Sequence, residues 1–432
     1  MAFVESICAV APSVYIPSMM KHMPKIFRSF YNNESGTVAV LGGALCVVLL
    51  VAAGVAIDFG RGFNTNRDMQ HAVDASALAA AGMDDEATKS DQTAFAKEIF
   101  DQNYGEKHTG LIAPVVSFGD ETVTVSAATD MATTLMQVAK TDKVAIGVSA
   151  TAWRGPRHTI CVLALDPTSP GGLNIRGTGQ LTLEECAAQT NSNDRLALLQ
   201  EGTKSNAAAE SFCSHGGVGG INFTPKPYKY CSRADDPFKD LPVPTKYGCD
   251  YRNTVYKNGI FEVGPGTFCG GINIEAHADV TFKEGLYVVD GEFRIAAHSV
   301  VKGYGVTFYL IGNKAKLTIV SHADVDLVAP SFGDYAGVLF AQDAAANPGE
   351  TSAIEGGADI TLIGATYLPT QILNVSSTST FGGNSPFFPL VAWRIDYSGG
   401  SETIIKYDPS ALGGGFEDIK MPKTRPMPRL IN

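Results

Sequence analysis

The sequence predicts an α+β membrane-anchored protein. It has one N-terminal transmembrane helix with a small α/β module, then a mainly-β domain read as a right-handed parallel β-helix, with a β-sandwich as the alternative. Three observations carry this: an uncharged run from Thr37 to Ile57, an alternating pattern between Ala113 and Trp153, and a set of echoing β-rich strings from Ile274 onward. The chain of 432 residues is long enough for more than one unit, and with 18% charged and 45% hydrophobic residues it has the means to fold.

The first element is the membrane span. Residues 37–57 read TVAVLGGALCVVLLVAAGVAI, close to the ~20 apolar residues a helix needs to cross the hydrocarbon core. Lys21, Lys25 and Arg28 precede it, and Arg61 and Arg67 follow it, offset by Asp58, Asp68 and Asp74. That bias puts residues 1–36 in the cytoplasm. The run is longer than the apolar core of a signal peptide, and helical sequence continues beyond it, so an uncleaved signal anchor is expected.

Residues 58–155 form the second element, a membrane-proximal module. Phe59 to Met83 is Ala-rich and suits a helix leaving the bilayer. Gln70, Val73, Asp74, Ala77 and Leu78 mark a face narrow enough for a partner helix to approach, or else a plain stalk. PVVSF, ETVTVSA, MATTLMQVA and KVAIGVSATAW then read as two strands, a short helix and a third strand.

Residues 156–408 form the third element. IEAHADVTF, IAAHSVVKG, IVSHADVDL and IEGGADITL, beginning at Ile274, Ile295, Ile319 and Ile354, repeat a strand, a polar corner and a strand, with IRGTGQLTL at Ile175 as a weaker echo. The intervals from His277 to His298 and on to His322 are 21 and 24 residues, suited to successive coils. Val280, Phe282, Val300, Val325, Leu327, Ile360 and Leu362 are the expected inward columns. Residues 216–268 interrupt the pattern with Pro237, Pro242 and Pro244, which favour neither helix nor central strand. They are expected to form a long excursion held by disulfides, and residues 409–432 a frayed tail.

Cys161, Cys186, Cys213, Cys231, Cys249 and Cys269 all lie beyond the span, an even set that fits disulfides with the pairing open. His277, His298 and His322 sit at equivalent corners and form a ladder that could hold a metal or sense pH, or could serve only as turn residues. Asp279, Asp324 and Asp359 recur nearby as turn caps or an acidic ladder. No hydrolase elbow, phosphate loop, zinc-protease helix or dinucleotide fingerprint is present, so no catalytic residue, metal ligand or cofactor site is expected and the protein is read as non-enzymatic. A net charge of -11 argues against nucleic acid.

The stretch Glu34–Ala81, with Gly36–Val40 at its opening, Val55–Asp58 at the exit from the span, Asn66–Gln70 and the small-residue run Asp74–Ala81, resembles the N-terminal module of TadG-like proteins of the Flp/Tad (tight adherence) pilus-assembly system. CVLALDP at Cys161, QTNSN at Gln189, FCGGINI at Phe268 and LIGATYLP at Leu362 look like the β-helical form of such proteins. Other members carry a von Willebrand A-type domain whose metal site uses D-x-S-x-S. Here Asp74-Ala-Ser76-Ala-Leu78 lacks the last Ser, so that site is not carried over. The resemblance implies a single-pass protein of the bacterial cytoplasmic (inner) membrane with most of the chain periplasmic, contributing to pilus assembly, anchoring and adhesion. Its implied partners are the lipid bilayer, pilus-assembly membrane proteins and pilin. A tethered β-helix that binds or cleaves envelope polysaccharide is the alternative.

Overall fold

The computed structural model describes residues 37–84, 87–105, 112–202, 204–245, 248–377, 379–412 and 419–431. They divide into two units: Met1–Ser76, Thr93–Val116 and Val125–Ala150 in the first, and Ala77–Gln92, Ser117–Thr124 and Thr151–Asn432 in the second.

A single helix, α1, runs from Thr37 to Gly82 over 46 residues with no proline to break it. Its apolar stretch has a mean hydropathy of 2.7 and only 6% of it is buried, so this helix is long and apolar enough to cross a membrane. The exposed side chains change beyond Ile57. Asp58, Met69, Ala72, Val73 and Ser76 are buried along one stripe, the pattern of a helix that has found protein to pack on.

Strands β1 (Val115–Phe118), β2 (Thr122–Ala132) and β3 (Lys143–Trp153) follow in the sheet order β1-β2-β3. The short helix read between the second and third strands is a single 3₁₀ turn, Met136–Ala139. A second helix, α2 (Lys89–Phe100), was not legible in the sequence. Its start is fixed by a capping pair: Thr88 N–H donates to Asp91 Oδ2 at 2.9 Å, and Asp91 N–H donates to Thr88 Oγ1 at 3.2 Å.

Beyond Thr159 the second unit is a mainly-β domain built from three sheets with parallel pairing throughout their ladders. This is the reverse of the antiparallel pairing in the sandwich weighed as an alternative. The register explains the repeat. Phe261, Val280, Val301, Val325 and Ile360 are successive partners, as are Phe282, Gly303, Leu327 and Leu362. The inward residue of the His298 corner is therefore Val301, not Val300, because in Ser299-Val300-Val301 both parities carry an apolar side chain and a one-residue slip exchanges the faces. Gly303 fills the second column because a Cβ there would lie 3.1–3.2 Å from Phe282, Leu327 and Val306. Phe282, Phe293, Phe308 and Phe340 pack as a buried aromatic cluster, with centroids 4.3 Å apart for the tilted pair Phe293–Phe308 and 4.9 Å for the edge-on pair Phe282–Phe308.

The order of strands in the large sheet is not the order of the chain. From one edge it runs Tyr228–Lys229, Ser211–Ser214, Ala187–Thr190, Ile160–Ala164, Leu390–Gly399, Ala365–Ser377, Val338–Gln342, Val306–Ile319, Gly285–Ile295, Gly266–Ile274 and Tyr251–Tyr256. The chain thus enters at the middle, winds out to one edge, crosses to the far edge, and winds back until Leu390 pairs with Val162. Ten strand spacings separate Tyr228 from Tyr251, roughly 48 Å. The residues between them can reach roughly 70 Å when extended, so the crossing is feasible in one pass.

That crossing is the core of the expected excursion, and it is narrower than 216–268, since strands occupy both ends of that range. It lies on the apolar outer patch of the large sheet, with Phe238 packed among Leu163, Tyr309, Ala341, Tyr367 and Val391. Disulfides Cys213–Cys231 and Cys249–Cys269 tie its two ends, and Cys161–Cys186 joins neighbouring strands. Of the expected frayed tail, residues 413–418 and 432 lie outside the described residues, while 419–431 are tied to the rest of the unit. Ile160 N–H donates to Pro422 O, Thr424 N–H donates to His158 O, and Arg429–Ile431 pairs antiparallel with Thr151–Trp153.

Candidate functional site

The most developed polar site lies where the apolar part of α1 ends. Gly54, Asp58 and Gly62 fall four residues apart on one face, and the turn after β2 lies along them. A Cβ on Gly54 would come within 2.6 Å of Leu135 Cβ, so this glycine opens room for the turn, whereas one on Gly62 would make only ordinary contact with Met131 of β2 at 3.4 Å. Between them the Asp58 carboxylate, 1% exposed, accepts the backbone N–H groups of Thr134 (3.0 Å), Leu135 (2.8 Å) and Met136 (2.9 Å). These are the orphan donors at the start of the 3₁₀ turn Met136–Ala139, which gives the carboxylate a capping role. Arg61 adds an ion pair at 3.8 Å and donates to the Thr134 hydroxyl. The backbone N–H of Met136, with those of Leu135 and Thr134, holds the Asp58 carboxyl below its ordinary value against the opposing effect of desolvation. Gly54 and Gly62 at four-residue offsets around the first charge after the span were the available sequence signal.

The residues marked as a partner-helix face are placed less openly than a free docking stripe. Val73 and Ala77 are fully buried, while Gln70, Asp74 and Leu78 are half-buried. Gln70 donates to Asp74 Oδ1 at 2.8 Å and to the Ser149 carbonyl at 3.2 Å.

The helix side of this geometry falls within a segment that a known family shares. Residues 36–83 match the putative Flp pilus-assembly TadE/G-like family. The TadE/G-like segment therefore holds the whole α1 stripe, Gly54, Asp58 and Gly62 included, and leaves the β domain outside the match. No curated protein and no solved structure matches the chain.

The histidine ladder exists as a column. His277, His298 and His322 are exposed, with ring centroids 6.4 and 6.2 Å apart and planes within 14° and 18° of parallel. All three have φ between 61° and 65°, the left-handed region that His and Asn tolerate better than other side chains. Asn258, with φ 48°, precedes them in the column. His277 N–H donates to His298 O and His298 N–H to His322 O, both at 2.9 Å, so the corner is a backbone turn first. Near-parallel rings this far apart do not aim their nitrogens at one point, and among the described residues no group of three His, Cys, Asp or Glu could hold a metal ion. Register also separates Asp279 from Asp324 by Val300, which breaks the acidic ladder.

One further concavity, of about 320 Å³, is lined by Glu284, Tyr304, Gly305, Val328 and Phe332 among others. Tyr304 and Phe332 are 58% and 71% exposed, an uncommon display of aromatic surface.

Proposed function

We propose that this protein is a non-enzymatic, single-pass component of Flp/Tad-type pilus assembly or anchoring in the bacterial inner membrane, with its N-terminus in the cytoplasm and the bulk of the chain periplasmic. The observation that carries this reading is the coincidence of the TadE/G-like match with the helix that is both the apolar span and the docking rail for its own module. The disulfides favour an oxidising compartment for everything after the span. The parallel registers support a β-helix, whose long regular faces suit contact with assembly proteins or pilin. Through those contacts it contributes to adhesion. Replacing the full-length protein by one lacking residues 156–408 is expected to abolish surface pili while the shortened chain still fractionates with the membrane. Unchanged piliation overturns the proposal.

The aromatic concavity favours a second reading, in which the β domain binds or cleaves envelope polysaccharide, with Tyr304 and Phe332 as stacking surfaces and Glu284 as a hydrogen-bonding or acid group. Retention on an exopolysaccharide column that Tyr304→Ala abolishes supports it, and equal elution of both proteins removes it.

A further inference from the structure

The turn between β2 and β3 poses a question of depth. At a rise of about 1.5 Å per residue, the uncharged run Thr37–Ile57 covers roughly 30 Å, the thickness of the hydrocarbon core. Gly54 lies three residues inside the end of that run, about 4–5 Å short of the boundary. Leu135 packs on Gly54, so the tip of the turn reaches below the level of Asp58, and its side chain is still 40% exposed. We propose that residues 133–136 form a foot inserted into the bilayer interface, with the exposed side of Leu135 in lipid. This rests on the reading of α1 as a membrane span.

Two independent features fit a lipid occupant. Irregular backbone at membrane depth is costly unless its polar groups are satisfied internally. Here Thr134, Leu135 and Met136 give their N–H groups to Asp58, and Thr133 N–H donates to Asp142 O at 3.0 Å. Lys140 and Thr141 N–H groups return to Gln137 O and Met136 O, and the Thr133 carbonyl takes the Gln137 side-chain amide at 2.8 Å. The second feature is the set of exposed side chains on the first turns beyond the run and around the foot. Phe59 and Phe63, on the first turns beyond the run, are 75% and 62% exposed, and Arg61, Lys140 and Lys143 are exposed cations able to reach headgroup phosphates. An apolar tip flanked by exposed aromatic rings and cations is the arrangement of an interfacial anchor.

The test uses the full chain in anionic vesicles with Cys8→Ser and Cys46→Ser, so that a nitroxide label reads one added cysteine. Val48→Cys, on the exposed apolar helix, reports lipid, and Lys97→Cys, on the polar face of α2, reports water. Leu135→Cys is expected to favour collision with oxygen over a water-soluble nickel chelate severalfold more than Lys97→Cys does. Thr134→Cys should show the same sign, which keeps the test decisive if the Leu135 variant does not fold. A nickel-accessible label at 135 beside a lipid-located label at 48 overturns the foot and leaves the anchor standing. Water-like behaviour at 48 as well defeats the anchoring reading itself. Shielding of 135 from both reagents means that protein covers it, and this also overturns the proposal.

Discussion

The stretch from Ile274 to Ile363 and the crossing from Ser232 to Pro244 lie in the same unit but are held in opposite ways. In the first, each strand gives its backbone donors to the next strand in a shared register, and the side-chain columns repeat with it. In the second there is no ladder, and fixation rests on individual groups. The Asn191 side chain takes Ala234 N–H at 2.9 Å and donates to Ala234 O at 2.8 Å, imitating a strand partner, and Gln189 donates to Ser232 O at 2.8 Å. Tyr367 donates to Asp236 Oδ2 at 2.8 Å, and Tyr335 donates to the Pro242 carbonyl at 2.7 Å. Periodic contacts spread stability over many residues, whereas single contacts concentrate it, and the two respond differently to substitution.

The largest effect should come from the columns. Phe308→Ala empties the centre of the aromatic cluster and should cost about 3–5 kcal/mol, read as a lower denaturation midpoint for the whole β domain. Removing the tie at the start of the crossing with Cys213→Ser and Cys231→Ser should cost about 2–4 kcal/mol, visible as a melting temperature that no longer responds to reductant at that bond. Asn191→Ala should cost about 1–3 kcal/mol, and limited proteolysis should cut within 232–245 before the rest of the domain opens. If that variant unfolds globally instead, the contrast between the two regions fails. The crossing should also carry a pH dependence. Burial raises the Asp236 carboxyl above its ordinary 3.8, so its contribution is full below that value and is lost as pH rises through the higher folded value. Asp236→Asn, compared with the native chain by denaturation across that window, should remove this slope. Asp58 has the opposite sense, its contribution being complete above 3.8 and lost as pH falls through a lower folded value. The smallest effect is expected at the corners. His298→Asn should change stability by less than about 0.5 kcal/mol because Asn tolerates the left-handed turn, and His298→Val should cost more.

What the sequence disclosed follows the same division. Repetition exposed the strands from Ile274 onward and their corners, and length with apolarity exposed α1. Parity failed at Val300 and Val301, where two adjacent valines made both faces acceptable. α2 was missed because KSDQTAFAKEIF has only Phe95, Ala96, Ile99 and Phe100 to suggest a face, and its cap lies before it. The Asp58 site combines residues about 76 positions apart, and the crossing joins Asp236 to Tyr367 over 131, separations at which no local pattern operates. The closure of Leu390 onto Val162 was hidden for the same reason.

That closure has a consequence for the order in which the protein can be made. Ile160–Ala164 is the first strand of the β domain to be synthesised, yet one of its two neighbours is among the last, about 230 residues later. At ribosomal rates of roughly 5–20 residues per second, the open side of that strand waits on the order of 10–50 s before its partner exists. During that interval it presents bare hydrogen-bonding groups to any passing strand. Synthesis of this chain therefore leaves a half-built sheet open until its last strands emerge.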